Sequence, residues 1–327
     1  MMKKMATTND FVIQTSGLSK SFGETKALVS LDLKVPKNSI FGFLGPNGAG
    51  KTTTMKLLLG QNRPTSGSAT IFGQDIVSES ISVRARIGFL PQKIRFYEYM
   101  TAREILNFSM RFYYKGPKNL IKQRVDEILK MVSLDGLADR PVKGFSGGER
   151  QRLGLGQAEV NHPELLILDE PAASLDPIGR RDLLKVMDNL RKDSTIFYST
   201  HILDDVQKVS DTVAILNKGR LITQGPIEEI LKGGEGTVYA VKLRGADVDD
   251  LRSRLSAQSW ISSVSVEQNA GVSEWQINVS DDEAAEDNLL GIVQSKGIKV
   301  LDYGEKAVEL EDIFIKLIKD GGDKNVK

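Results

Sequence analysis

A glycine-rich segment, Gly45-Pro46-Asn47-Gly48-Ala49-Gly50-Lys51-Thr52, constrains the possible folds of this chain most strongly. The apolar run 40–44 before it is typical of a buried strand, and residues 52–59 after it are typical of a helix that ends at Gly60. In this spacing, backbone N–H groups surround a phosphate, Lys51 reaches its outer oxygens and Thr52 offers a hydroxyl to Mg²⁺. The helix N terminus adds a partial positive charge beneath the anion. The segment therefore predicts a phosphate-binding loop between a strand and a helix of an α/β sheet.

Two adjacent carboxylates follow another apolar run, 165–168, which is typical of a strand buried on both faces of a parallel sheet. At the end of that strand, Asp169 suits a position near Mg²⁺ and Glu170 suits a general base that polarises water. Taken alone, an ordinary acidic turn before Pro171 explains the pair better. Downstream of a phosphate-binding loop, the catalytic interpretation is favoured.

Ser146-Gly147-Gly148-Glu149 has the pattern of a capping box, which predicts a helix from this point to about Val160. The box does not explain two glycines in the first turn, since each costs a helix about 1 kcal/mol relative to alanine. Glycine at a helix N terminus allows a phosphate to approach the backbone closely. Because the first loop already covers one face of a nucleotide, we expect this second site to serve the nucleotide of another subunit.

With Gln92, Ser174-Leu175-Asp176 and His201, these motifs make residues from about 11 to 232 resemble the nucleotide-binding subunit of an ABC transporter. In that family the segments are the Walker A loop, Q-loop, signature, Walker B strand, D-loop and switch histidine. The resemblance implies an ATPase with ATP and Mg²⁺ as ligands. It implies catalytic roles for Glu170, His201 and Gln92; nucleotide contacts from Phe22, Gly45, Asn47, Gly48, Gly50, Lys51, Thr52, Thr53, Ser146, Gly147, Gly148 and Asp176; and metal contacts from Thr52, Gln92 and Asp169.

Four of these roles rest on the resemblance. Gln92 would sense Mg²⁺ and the γ-phosphate, Asp176 would reach across a dimer interface, and His201 would hydrogen-bond the γ-phosphate from the end of strand 195–199. Phe22 matches an aromatic residue that stacks on adenine, with a core phenylalanine as the alternative. The chain departs from the family pattern after the Walker B strand and in the signature helix, at Ala172, Ala173, Ser174, Gln157 and Glu159. None of these is a phosphate ligand or the base, so an active ATPase is still expected.

The amino-acid composition limits the kinds of partner and the kinds of site that this chain can have. The 327 residues carry a formal net charge of +1, which predicts no long-range attraction to nucleic acid or to an anionic membrane. No cysteine is present, which excludes disulfides and cysteine metal sites. No apolar stretch is long enough to span a bilayer, and the N terminus lacks a signal-peptide pattern. We therefore expect a cytoplasmic protein, peripheral on the inner face of the cell membrane through a separate integral membrane permease subunit.

Aromatic residues cluster after Gln92, in a region predicted to be largely helical, with helices at about 102–114 and 120–132. Three lie in a non-periodic stretch where the family grips a helix of its membrane partner, and they are expected at that interface: Phe96, Tyr97 and Tyr99. Two others are expected in the core of the helical subdomain: Phe108 and Phe112.

The remainder of the chain predicts a small α+β unit in the order β-α-β-β-α-β, which is typical of a ferredoxin-like fold. Its second helix is predicted to begin at a capping box of Ser280 and Glu283 and to run to about Lys296, and an apolar stripe at 310–318 predicts a closing helix. The fold class is therefore an α/β P-loop NTPase core of the ABC ATPase type with antiparallel β and helical subdomains, plus a ferredoxin-like C-terminal domain. The predicted parts are a flexible N terminus (1–9), an ABC ATP-binding domain (10–232, with its helical subdomain at about 93–160), a linker (233–236), an accessory domain (237–320) and a flexible tail (321–327).

This C-terminal arrangement resembles the extension of ATPases that serve drug, antibiotic and polysaccharide exporters. The favoured function is an ATP-hydrolysing subunit of an ABC exporter that dimerises, with an identical or related chain, around two ATP molecules. One alternative is a soluble ABC ATPase acting on ribosomes or DNA, which the single motif set and the lack of a long heptad insertion disfavour. Another makes the C-terminal unit a small-molecule sensor that gates the ATPase.

Overall fold

The computed structural model describes residues 10–173, 175–232, 237–245, 247–269, 271–294, 298–306, 310–311, 313–315 and 317. These residues form two compact units, the first ending at Pro226 and the second beginning at Ile227. The predictions for 1–9, Ser174, the 233–236 linker, Lys296, Ile318 and the 321–327 tail lie outside the described residues, so the predicted domain boundaries stay predictions.

None of the helices in this described part combines the length and the apolar character needed to cross a membrane.

The first unit contains two sheets and their connecting helices. Its strands are β1 (Phe11–Phe22), β2 (Thr25–Leu31), β3 (Lys34–Pro36), β4 (Ile40–Leu44), β5 (Ser66–Ile71), β6 (Gln74–Asp75), β7 (Ile87–Leu90), β8 (Leu165–Asp169), β9 (Thr195–Thr200), β10 (Thr212–Asn217) and β11 (Arg220–Pro226). Its helices are α1 (Lys51–Leu58), α2 (Ser80–Ala85), α3 (Ala102–Tyr113), α4 (Lys118–Met131), α5 (Gly147–Ala158), α6 (Pro177–Leu190) and α7 (Leu203–Val209), with 3₁₀ turns at Asp135–Leu137 and Val142–Gly144.

The central sheet has the strand order β11-β10-β4-β9-β8-β7 and is parallel except for β11. Strands β4, β8 and β9 are buried along their whole length. This burial explains the apolar runs 40–44 and 165–168, whereas β9 also buries the polar residues Thr195, Ser199 and Thr200. Because parallel neighbours end at the same edge, the segments after β4, β8 and β9 meet there. This edge therefore brings together the glycine loop, the two carboxylates and His201.

An antiparallel sheet, with the order β2-β1-β5-β6 and β3 paired to β1, completes the core of the first unit. Its buried side chains, among them Ile13, Leu28 and Ile71, belong to one apolar cluster with Phe41 and Phe43 of the central sheet. The mixed fold of the first unit confirms the predicted P-loop core with an antiparallel subdomain.

Helices α3, α4 and α5 lie in the predicted helical subdomain, and the two aromatic residues expected in its core are on its surface. The stripe that α3 buries has the helical spacing of three and four residues: Ala102, Ile105, Leu106, Ser109 and Met110. Phe108 and Phe112 fall outside that stripe, are 49% and 73% exposed, and pack edge to face at 5.2 Å between ring centroids. The expectation that they fill the core is therefore wrong, because other apolar positions of α3 satisfy it.

The second unit contains α8 (Ile227–Lys232), β12 (Thr237–Arg244), α9 (Val248–Ser256), β13 (Ile261–Asn269), β14 (Val272–Val279), α10 (Asp282–Val293) and β15 (Lys299–Lys306). From β12 onward this is the predicted β-α-β-β-α-β order, in an antiparallel sheet of order β13-β14-β12-β15. One face of the sheet packs with both helices around Trp275, Leu251 and Leu289. The ferredoxin-like fold is therefore confirmed.

The predicted capping box at the start of α10 is wrong. The N-cap is Asp281, whose Oδ1 accepts a hydrogen bond from Ala284 N at 3.1 Å. Ser280 Oγ instead donates to the carbonyl of Trp260 at 3.2 Å, so its hydroxyl is used in a tertiary contact. The described helix ends at Val293.

Candidate active site

The glycine loop joins β4 to α1 as the sequence predicts, and its glycines permit close approaches that a side chain would block. Gly50 has φ +109°, and a Cβ there would lie 2.7 Å from the carbonyl oxygen of Ala27. A Cβ on Gly45 would lie 2.4 Å from the carbonyl oxygen of Leu216. No side chain caps the start of α1, so its first N–H groups stay available to a ligand. The loop therefore holds its backbone N–H groups in position around a ligand site at the edge of the sheet.

Lys51 is the buried cation of this loop, with a side chain only 6% exposed. Its Nζ donates to the carbonyl of Gly45 at 2.6 Å and lies 3.3 Å from Glu170 Oε1. A buried ammonium needs such partners, because burying an unpaired charge is costly. The contact joins the glycine loop to the carboxylate that follows β8.

Asp169 occupies the end of β8, where two hydroxyls donate to the same carboxylate oxygen. Ser199 Oγ lies 2.6 Å and Thr52 Oγ1 3.4 Å from Asp169 Oδ1. Hydroxyl and carboxylate oxygens are the ligand type that Mg²⁺ prefers, and Mg²⁺ usually binds one or two carboxylates together with substrate phosphates and waters. The donor set of Thr52 and Asp169 therefore fits a Mg²⁺ ion that is completed by a nucleotide.

Glu170 has an unusual backbone, with φ +52° in the left-handed region that residues other than glycine seldom adopt. Its N–H donates to both the carbonyl (3.1 Å) and the hydroxyl (3.0 Å) of Ser199, which hold this conformation. Its Oε2 lies 2.8 Å from His201 Nδ1. Backbone strain of this kind concentrates at functional sites. The result is a buried carboxylate fixed between Lys51 and a half-exposed histidine.

Ser199 is the site residue that sequence reasoning missed. It binds Asp169 through its hydroxyl and Glu170 through both its carbonyl and its hydroxyl. The feature that identifies Ser199 in the sequence is its position two residues before His201, near the end of strand 195–200, which is buried throughout. The parallel pairing of Asp169 with Ser199 then places it beside the carboxylates.

Several residues predicted for the site lie outside this cluster. Gln92 is exposed, and the described residues include no hydrogen bond from it to Thr52 or Asp169. Phe22 is 49% exposed, with Lys20 Nζ 5.0 Å from its ring centroid. A half-exposed ring does not fit the alternative of a core phenylalanine and leaves a face for stacking. Three loop residues are exposed or half-buried at the rim: Asn47, Gly48 and Thr53.

The signature segment opens α5 with the predicted capping box. Ser146 Oγ accepts from Glu149 N at 3.2 Å, and the Glu149 carboxylate accepts from Ser146 N at 2.7 Å. Because the cap uses the N–H of the third helical residue, the N–H groups of Gly147 and Gly148 have no partner within the helix. They form a second donor site at the N terminus of a twelve-residue helix.

Asp176 caps α6, where its Oδ1 accepts from Gly179 N at 3.2 Å. The first turns of α5 and α6 are neighbours, since a Cβ on Gly148 would lie 3.6 Å from the Cα of Gly179. Ser146, Gly147 and Asp176 are all exposed. The signature and D-loop residues are therefore presented together on one surface.

The two departures in the signature helix tie it to its neighbours. Gln157 Nε2 donates to Ser109 Oγ of α3 at 2.9 Å. Glu159, at the C-terminal end of α5, is 2% exposed and accepts from Arg124 Nη2 of α4 both at its carbonyl (2.9 Å) and at Oε1 (3.3 Å). Burial raises the pKa of Glu159 to about 7, although Arg124 opposes this effect.

The raised pKa of Glu159 predicts a pH dependence of stability. The folded chain holds the Glu159 proton more tightly than the unfolded chain, so the free energy of unfolding should fall as pH rises from about 4.5 to about 7, by roughly 3 kcal/mol at most. Glu159→Gln should remove this part of the pH dependence, measured by urea unfolding at pH 5 and pH 8. Glu127→Gln, which changes an exposed carboxylate beside the same arginine, is the control. Equal pH slopes for Glu159→Gln and the wild type would contradict the assignment.

Comparisons with known proteins agree with this geometry. The family model described as ABC transporter matches residues 28–173. The bacitracin transport ATP-binding protein BcrA of Bacillus licheniformis is 35% identical over 318 residues, which cover 95% of this chain and 98% of that protein. The daunorubicin resistance ATP-binding protein DrrA3 of Streptomyces coeruleorubidus is 32% identical over 337 residues, which cover 97% of this chain and 98% of that protein.

Among solved structures, cbiO1 from Clostridium perfringens, part of the ABC transporter complex cbiONQ, is 29% identical with a TM-score of 0.63. The similarity covers 68% of this chain and 90% of cbiO1.

Proposed function

The chain belongs to the ABC transporter family as an ATP-binding, ATP-hydrolysing subunit, and we propose that two such subunits close around two ATP molecules to drive a separate permease as an exporter. The observation that carries the proposal is the contact series from Lys51 through Glu170 to His201 at one sheet edge. It combines a phosphate-binding cation, a buried carboxylate and an imidazole within hydrogen-bonding distance of one another.

In this proposal the glycine loop and the N terminus of α1 bind the phosphates, and Lys51 moves from Glu170 to the γ-phosphate. The nucleotide contacts within the same subunit are Gly45, Asn47, Gly48, Gly50, Lys51, Thr52 and Thr53, and the exposed ring of Phe22 stacks on adenine. Thr52 and Asp169 hold Mg²⁺, with Gln92 reaching the ion when the site closes. Mg²⁺ neutralises charge on the phosphate oxygens.

Hydrolysis needs a group that takes a proton from the attacking water, and Glu170 has the position for it. The water oxygen attacks the γ-phosphorus, Glu170 accepts the proton, and ADP leaves with the electrons of the broken bond. His201 orients Glu170 through its Nδ1 contact and turns its other ring nitrogen toward the γ-phosphate. Its half-exposed ring has the freedom for this movement.

The second donor site supports the dimer. Gly147 and Gly148 carry unused N–H groups on an exposed helix terminus, next to Ser146, and this arrangement suits the γ-phosphate held by the other subunit. Asp176 lies on the same surface and is placed to contact the partner's loop. Head-to-tail pairing then assembles two composite sites from two incomplete ones.

The relatives named for bacitracin transport and daunorubicin resistance support export, and cbiO1 supports work beside a permease as a separate chain. For this chain we place the docking site in a cleft of about 610 Å³ next to the Q-loop. Its aromatic wall comprises Phe89, Phe108, Phe112 and Tyr113, with Tyr97 and Tyr99 also exposed on the Q-loop side. In this proposal the subunit works on the inner face of the membrane, next to its permease.

Removal of the two exposed rings tests the docking site. Phe108→Ser combined with Phe112→Ser should lower recovery of the permease with the affinity-tagged subunit at least about tenfold, because central aromatic contacts dominate interface energies. The ATPase activity of the isolated subunit should not change. Ile81→Ser, which removes an apolar side chain that is 80% exposed outside the cleft, is the matched control. Full permease recovery with the double variant would exclude the cleft as the docking site.

A further inference from the structure

The corner between α3 and α4 carries an unusual surface. Residues 111–122 include four basic residues and no acidic one: Arg111, Lys115, Lys118 and Lys122. All four basic side chains are exposed. The formal net charge of the whole chain is only +1, so this basic–aromatic corner (residues 111–122) is a local concentration of positive charge.

The four cations of the corner are not neutralised locally. The nearest carboxylates along α4 already have partners, since Asp126 pairs with Arg103 and Glu127 pairs with Arg124. Within the part of the chain that the structure describes, no salt bridge involves the four basic residues. Their charge is therefore available to an anionic surface.

Amphipathic aromatic residues accompany these charges. Tyr114 and Leu120 are both 43% exposed, which leaves apolar surface in water next to the lysines. The Tyr114 ring packs over Gly116, where a Cβ would lie 2.1 Å from the ring. A tyrosine packed in this way combines an apolar ring with a polar hydroxyl. Tyrosine is enriched at membrane–water interfaces because of this combination.

We propose that the basic–aromatic corner binds anionic phospholipid headgroups directly. Lysines near an anionic leaflet each gain electrostatic attraction, and tyrosine and leucine side chains enter the headgroup region. The four basic side chains are exposed, and none of them lines the cleft that Tyr114 and Leu120 border. Exposed charges outside a cleft fit a broad anionic surface better than a single acidic peptide. This binding goes beyond the nucleotide chemistry and requires neither ATP nor the permease.

Vesicle sedimentation of the purified full chain tests the proposal. The wild type should bind phosphatidylcholine vesicles that contain phosphatidylglycerol, should bind pure phosphatidylcholine weakly, and should lose binding as salt is raised. Replacing the three lysines in one variant (Lys115→Gln, Lys118→Gln, Lys122→Gln) should lower the affinity about 100-fold, at about fivefold per charge. The ATPase activity and the thermal unfolding of this variant should match the wild type.

A second triple variant with the same change of charge is the control: Lys37→Gln, Lys185→Gln and Lys192→Gln, all exposed elsewhere in the first unit. It should retain vesicle binding, whereas Tyr114→Ser should weaken binding without changing its salt dependence. Equal loss in the two triple variants, or equal wild-type binding to neutral and anionic vesicles, would overturn the proposal. Absence of vesicle binding together with lysine-dependent capture of the permease would also overturn it, by assigning the corner to a protein partner.

Discussion

Glu170→Gln should lower the turnover of ATP by roughly 100-fold or more, the usual size of a general-base contribution. Glutamine keeps the shape of the side chain but cannot take a proton from the attacking water. ATP binding should persist, because Lys51 loses the carboxylate 3.3 Å away that competes with the γ-phosphate for it. Steady-state phosphate release measures the turnover, and size-exclusion chromatography with ATP should show a stable dimer, since the product state is not reached.

Glu164→Gln provides a matched control for this variant. Glu164 directly precedes β8, is exposed, and pairs with Arg86, so its loss should leave turnover near that of the wild type. If Glu170→Gln also turns over normally, the base lies elsewhere, and His201 is the next residue to replace.

Gly147→Asp should abolish hydrolysis while leaving the ATP affinity of the monomer nearly intact. In the proposed dimer, a carboxylate at this helix terminus would face the γ-phosphate bound by the other subunit and replace a favourable dipole with repulsion between like charges. Gly147 is exposed and lies outside the described contacts of Lys51, so the glycine loop of the same chain is not disturbed. Calorimetric ATP titration and steady-state ATPase assays separate the two effects.

Lys51→Ala should fail in the opposite way, at nucleotide binding, because the loop loses its mobile cation. Mixing the two inactive variants then tests whether a site is shared between subunits. In each heterodimer one site carries both lesions and the other carries neither. That intact site should turn over like a wild-type site, so the paired fraction should recover up to about half of the activity of a wild-type dimer when the two sites act independently.

Loss of ATP affinity in monomeric Gly147→Asp would contradict the composite site, because it would show that the glycine serves its own chain's nucleotide. Gly148→Asp would test the same donor site. Gly148 packs against Gly179, so that variant also needs a folding control by circular dichroism.

Local sequence patterns predicted most of the catalytic elements. The strands before Gly45 and Asp169 were recognisable because strands buried on both faces are continuous apolar runs. The capping box of Ser146 and Glu149 was recognisable because its donors and acceptors lie within three residues of one another. For such elements, the interacting groups are close in the chain, so spacing alone specifies the geometry.

Predictions were weaker where several positions of one element compete for the same contact. Phe108 and Phe112 were expected in a core, but α3 buries a different stripe, and the choice depends on what packs against the helix. Asp281, not Ser280, caps α10 because the Ser280 hydroxyl is used by Trp260, twenty residues away. The residue types around these positions are compatible with either choice of buried face for α3 and with either N-cap for α10.

The sequence by itself determined the family, the phosphate-binding loop, the carboxylate pair and the order of elements in the C-terminal unit. Only the tertiary structure decided that Ser199 supports both Asp169 and Glu170, that Glu170 lies between Lys51 and His201, and that Glu159 is buried against Arg124. These contacts join residues 29 to 119 positions apart, and they form because parallel strands end at one edge and packed helices share one interface. Such proximity depends on the pairing and packing of whole elements, which no local spacing specifies.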